Sequence, residues 1–100
     1  MSNSRESTEN ITENREVIKT LQNMATSSKT PSDMLRYLVL ELKIEQQIVL
    51  MKLFTEAFDV SLGEVTAISG WWHDNTAEMN DNDINHYIGW VVEEYVEKQN

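Results

Sequence analysis

Hydrophobic side chains are densest between Glu45 and Phe58, where EQQIVLMKLFTEAF reads as the axis around which the rest of the chain packs. Placed at about 100° per residue, Val49, Leu50, Met51, Leu53, Phe54, Ala57 and Phe58 span an arc of roughly 200°. Lys52, Thr55 and Glu56 are left as a narrow polar stripe. A helix this apolar predicts the centre of a bundle.

The flanking pattern predicts further helices. Ile11, Val17, Ile18, Leu21 and Met24 recur at helical spacing up to about Ala25, with Glu13, Arg15, Glu16 and Lys19 facing out. After the linker at 26–29, Thr30-Pro31-Ser32-Asp33 is a helix start. Thr30 can cap, Pro31 has its φ preset for a first turn, and Asp33 suits the positive end of the helix. The following residues alternate as in a strand, but the cap and the shared face of Met34, Leu35, Leu38 and Leu42 decide for a helix, with a turn near Lys43 and Ile44 stapled against the central helix. Ser61-Leu62-Gly63-Glu64 reads as a capping box opening a short helix to about Ile68. Ser69-Gly70 ends it. Trp71 and Trp72 then lie on a loop, one expected in the core and one partly exposed. Asn80 or Asp81 caps the last helix, which runs to about Glu97 with Ile84, Ile88, Val91, Val92 and Tyr95 inward. The expectation is an all-α, compact bundle of four to five helices spanning 10–100, preceded by a disordered N-terminal tail over 1–9.

A length of 100 residues suits one domain. No cysteine is present, so neither a disulfide nor a thiolate metal site contributes. No apolar run approaches the roughly 20 residues of a membrane span, and the polar start MSNSRESTEN has no apolar leader core, so a cytoplasmic protein that does not engage the membrane is expected. Net charge is −9, and residues 71–100 hold seven acidic side chains against one basic. That face repels phosphate backbones and attracts basic partners, while also serving solubility.

Candidate chemistry is sparse. His73, Asp74, Asp81, Asp83 and His86 cluster in sequence, and Asp81, Asp83 and Asn85 open like a calcium loop. His86, however, stands where that loop requires Gly, and Val92 where it requires Glu. No metal, no cofactor and no enzymatic activity are expected, because no nucleophile accompanies these carboxylates. Residues 54–68 resemble a helix-turn-helix in the apolar and capping positions Phe58, Val60, Ser61, Val65 and Ile68. Thr55 and Asp59 depart from that pattern, and SLGEVTAI offers Glu64 but no Arg, Lys, Asn or Gln to read a base, so no nucleic-acid binding is expected.

One residue breaks the pattern of the last helix. Trp90 lies about 160° from the inward stripe, with His86, Glu93 and Glu94 at three or four residues and Asp83 and Glu97 one turn further. Aromatic anchors with charged rims are common in interfaces. Trp90, His86, Asp83, Glu93, Glu94, Glu97 and Trp72 are therefore the candidate partner-binding residues. The alternative packs Trp90 beneath the first helix or the Trp71-Trp72 loop, with Gly89 marking a close approach by another segment. Two functions are expected to compete: an inhibitor or immunity-type protein whose acidic helix engages a basic protein, and a helical adaptor or self-associating module, such as a homodimer, that binds through an apolar groove.

Overall fold

The computed structural model describes the backbone of residues 2–99 and the side chains of 14–99. The fold is all-α. Its elements are α1 (Ser2–Thr26), α2 (Pro31–Arg36) continuing into a π-turn (Tyr37–Glu41), α3 (Gln47–Phe58), a 3₁₀ segment (Leu62–Gly70) and α4 (Asp81–Gln99). The tail expected over 1–9, like Ile11, falls outside the fully described residues.

The central helix is where the apolar arc put it. Leu50, Phe54, Ala57 and Phe58 on α3 are buried, and α1, the 3₁₀ segment and α4 all pack against it. The Phe54 and Phe58 rings meet edge to face at 5.5 Å, and Phe58 meets Tyr95 of α4 in the same way at 5.3 Å. Leu21 and Ala25 of α1, Met34 and Leu35 of α2, Leu38 of the π-turn, Val65 and Ile68 of the 3₁₀ segment, Trp71, and Ile84, Ile88, Val91 and Val92 of α4 join α3 in the core.

The helix starts follow their sequence signals. Thr30 Oγ1 accepts the Asp33 N–H and the Asp33 carboxylate accepts the Thr30 N–H, a reciprocal cap. Asn80 and Asp83 repeat the arrangement at α4.

Three expectations need correction. The α2 helix does not keep its period: the Leu42 N–H reaches back five residues to the Tyr37 carbonyl, and this wider turn swings Leu42 out to 37% exposure while burying Val39. The Ser61 capping box does not form, since Ser61 makes no side-chain cap bond; the Glu64 N–H bonds the Ser61 carbonyl instead, in the three-residue step of a 3₁₀ turn. Thr66 Oγ1 donates to the Leu62 and Gly63 carbonyls, and Val65 leaves helical geometry (φ −116°, ψ 18°). The second element of the helix-turn-helix pattern is thus a kinked 3₁₀ segment, although Phe58, Val65 and Ile68 are buried as that pattern asks.

Polar side chains latch the elements together. Gln22 Nε2 donates to the Ala57 carbonyl at 2.9 Å, Gln47 Nε2 to those of Ser69 and Trp71, and Asn85 exchanges bonds with buried Ser32. Trp71 is fully buried and Trp72 half-buried, as expected of the loop, which returns to pair Met79 N–H with the Gly70 carbonyl at 2.8 Å.

Candidate protein-binding surface

Helix α4 buries one face and presents the other to solvent, because Ile84, Ile88, Val91 and Val92 repeat at helical spacing. Trp90, opposite that stripe, is 44% exposed, and Tyr87 beside it is 55% exposed. The packed alternative for Trp90 is not what the fold adopts. Nor does Gly89 mark a close approach: a Cβ built there meets only Glu93 Oε2, at 3.9 Å.

Helical spacing gathers His86, Trp90, Glu93, Glu94 and Glu97 on this outer face, all exposed, with Asp83 half-buried at its N-terminal end. Several of these groups already have a partner. The Asp83 carboxylate caps Asn80, Glu94 pairs with Lys98 at 3.6 Å, and the His86 ring lies edge-on to Tyr87 at 5.5 Å. Glu93 and Glu97 carry the acidity closest to Trp90 on its other flank. Trp72 is not gathered with them. It lies on the 71–80 loop with its ring against His73 at 5.3 Å, while Trp71 next to it is tied to Asp81, some 13 Å of helix before Trp90.

The acidic loop residues have local roles. Asp74 accepts both the hydroxyl (2.6 Å) and the N–H (3.0 Å) of Thr76, and those bonds, with a smaller contribution from His73, hold its carboxyl below the usual range. Among the described residues no group of three His, Asp or Glu side chains is placed to hold a metal ion, and no helix is long and apolar enough to cross a membrane.

Sequence reasoning missed the flank of α4 that faces the α1–α2 linker. There Ala25, Pro31, Gly89, Val92 and Val96 floor a groove of about 530 Å³, with Lys29 on the linker and Glu93 and Glu97 on α4 lining it. Its signal was a glycine in mid-helix with no turn to serve. A second groove, about 580 Å³, runs between α1, the π-turn and α3, lined by Val17, Tyr37, Leu42, Ile44, Val49 and Leu53 among others.

Compared with protein-family models, curated proteins and solved structures, the chain matches none.

Proposed function

We propose that this chain is a non-enzymatic protein-binding domain whose α4 outer face engages a basic protein, in the manner of an inhibitor or immunity-type protein. Exposed Trp90 is the observation that carries the reading: a large indole half out in water, ringed by His86, Tyr87, Glu93, Glu94 and Glu97 on the most acidic third of the chain. The indole supplies apolar area and a π-face for a cation, and the carboxylates supply attraction and register. Asp83 extends the rim, and Trp72 contributes only to a partner wide enough to reach the 71–80 loop. Nucleic acid and anionic membrane are disfavoured by the same charge. A chain without cysteine suits the cytoplasm.

A second reading rests on the groove between α1, the π-turn and α3, whose lining is largely apolar and into which the wider turn brings Leu42. It makes the chain an adaptor or a homodimer that seats an apolar helix face there.

Capture from a native lysate on wild-type and Trp90→Ala protein, with the retained protein identified by mass and then purified, tests the choice. The acidic-face reading requires a basic partner, association slowing about tenfold or more from low to high salt, and weaker binding by Trp90→Ala. Binding indifferent to salt and to Trp90→Ala but lost in Leu42→Glu selects the second reading.

A further inference from the structure

Helix α4 spends its centre on Gly89, the poorest helix former after proline. Glycines in helices are usually forced by a neighbouring backbone or side chain that a Cβ would strike. Here the space beside residue 89 is open: the one atom within 4 Å of a Cβ at that position is the flexible Glu93 carboxylate at 3.9 Å. The fold therefore gives no reason for glycine. What the missing side chain does is keep open the floor of the groove between the α1–α2 linker and α4.

That groove has the chemistry of a slot for a long cationic side chain. Its floor and sides are apolar at Ala25, Pro31, Val92 and Val96 and would cover an aliphatic stem. On the α4 side Glu93 and Glu97, one turn apart, line it, and Glu93 leans back over residue 89. Lys29 is the single basic side chain of the lining, against those two carboxylates, and it stands on the linker side, so the attraction is concentrated at α4. Both carboxylates also flank Trp90, which makes the groove and the exposed indole one continuous surface.

We propose that this groove receives an arginine side chain of the basic partner, its methylenes over Val92 and Val96 and its guanidinium forked between Glu93 and Glu97. The proposal rests on the reading of α4 as the binding face and adds to it the residue that the partner must present. Gly89 is then a specificity-determining position, where a long side chain would fill the floor that the arginine needs.

The probe is the blocked tripeptide acetyl-Gly-Arg-Gly-amide, titrated into isotopically labelled protein and followed by amide NMR, with acetyl-Gly-Gln-Gly-amide as the uncharged control. Saturable shifts centred on Gly89, Val92, Glu93 and Val96, absent with the glutamine peptide, are expected. Gly89→Leu should weaken the arginine response at least tenfold, and Glu93→Gln with Glu97→Gln should do the same. Gly89→Ala is the control for folding: it should raise Tm by a few degrees, because the helix gains a better former and strikes nothing. A response spread evenly over every acidic residue, one unaltered by Gly89→Leu, or no response at all overturns the proposal. If the captured basic partner still depends on Trp90 while Gly89→Leu binds it normally, only the arginine slot fails; if neither substitution affects it, the α4 reading fails as well.

Discussion

Arg36 grips Asp81 through three contacts, Nη2 to Oδ2 at 2.9 Å, Nη2 to Oδ1 at 3.1 Å and Nε to Oδ2 at 3.1 Å, while the guanidinium lies 5.7 Å from the centre of the Trp71 ring. The indole N–H of Trp71 donates to Oδ1 of the same carboxylate at 2.9 Å. One side chain at the first turn of α4 thus joins the end of α2, the aromatic loop and α4. The ion pair itself is about one third exposed, so solvent screens it and it contributes at most about 1 kcal/mol. The buried indole is the larger stake.

Asp81→Ala leaves that N–H without a partner inside the core and removes the ion pair, which together should cost about 2–3 kcal/mol. Asp81→Asn keeps an acceptor for the indole and should cost about 1 kcal/mol. Urea denaturation measures both. Equal losses would assign the effect to the ion pair and contradict this account.

Phe54 is fully buried at the middle of α3 with Phe58 against its edge. Phe54→Ala should destabilise by about 3–5 kcal/mol, a large share of the stability of a domain this size. A melting curve near that of wild type is the contrary result.

The sequence carried the elements whose physics is local. The apolar arc of α3 and the caps at Thr30 and Asn80 depend on residues three or four apart; the sequence marks the arc and Thr30, and narrows the α4 cap to Asn80 or Asp81, while the reciprocal bonds from Asp33 and Asp83 are seen only in the fold. What failed was also local but competitive. Ser61 and Glu64 have the right spacing for a capping box, yet backbone bonds of a 3₁₀ turn satisfy the same groups, and the Thr66 hydroxyl back-bonds to two carbonyls. The π-turn at Tyr37–Glu41 has no sequence mark, so Leu42 was placed inward. The long-range latches from Gln22, Gln47 and Asn85 join residues that only the finished fold brings together. For the candidate site, the helical wheel puts Trp90 opposite the inward stripe but leaves open whether another segment covers it, and the groove beside it needs the linker and α4 side by side.

The helices end within two residues of where the hydrophobic pattern stops, yet none of the three glycines occupies a left-handed position. Ser28 (φ 67°), Lys43 (φ 60°) and Asp59 (φ 55°) do so instead. At Ser28 the chain closes α1 with the Lys29 N–H on the Met24 carbonyl at 2.9 Å and the Ser28 N–H on that of Ala25 at 3.1 Å, a termination that favours glycine. Relief of left-handed strain exceeds the entropy glycine adds to the unfolded chain, so Ser28→Gly should stabilise by about 0.5–1 kcal/mol. Chemical denaturation checks the sign.

Asp74 provides a pH prediction. Its carboxyl is held below the usual range chiefly by the Thr76 hydroxyl, so the folded state favours the ionised form. A depressed acid contributes its stability above its unfolded pKa and loses it as pH falls through the folded value. Thr76→Ala removes the first cause and leaves the backbone N–H, so the Asp74 titration followed by NMR should move up towards the ordinary range. The stability gap between wild type and Thr76→Ala should be present at neutral pH and close in acid. An unmoved titration would show that the hydroxyl bond is not formed in solution.

Trp90 offers a test that separates folding from the proposed binding. Trp71 is fully buried and Trp72 half-buried, so most quencher-accessible, red-shifted emission in the wild-type chain should come from Trp90. Trp90→Phe should therefore remove most acrylamide-sensitive fluorescence while leaving the blue-shifted component of Trp71. The indole is only half covered, so Trp90→Ala should cost about 1 kcal/mol of stability, well short of a core truncation. Against a basic partner the same change should cost about 2 kcal/mol or more, roughly thirtyfold in Kd, because the indole is the apolar centre of an otherwise charged face. Glu94→Gln, whose carboxylate already answers to Lys98 and is well exposed, should act mainly on the association rate and its salt dependence. The two variants thus predict a division of labour, with Trp90→Ala raising the dissociation rate and Glu94→Gln lowering the association rate. A Trp90→Ala protein that loses several kcal/mol of stability, or that binds the basic partner as tightly as wild type, would show that the indole serves the fold rather than the interface.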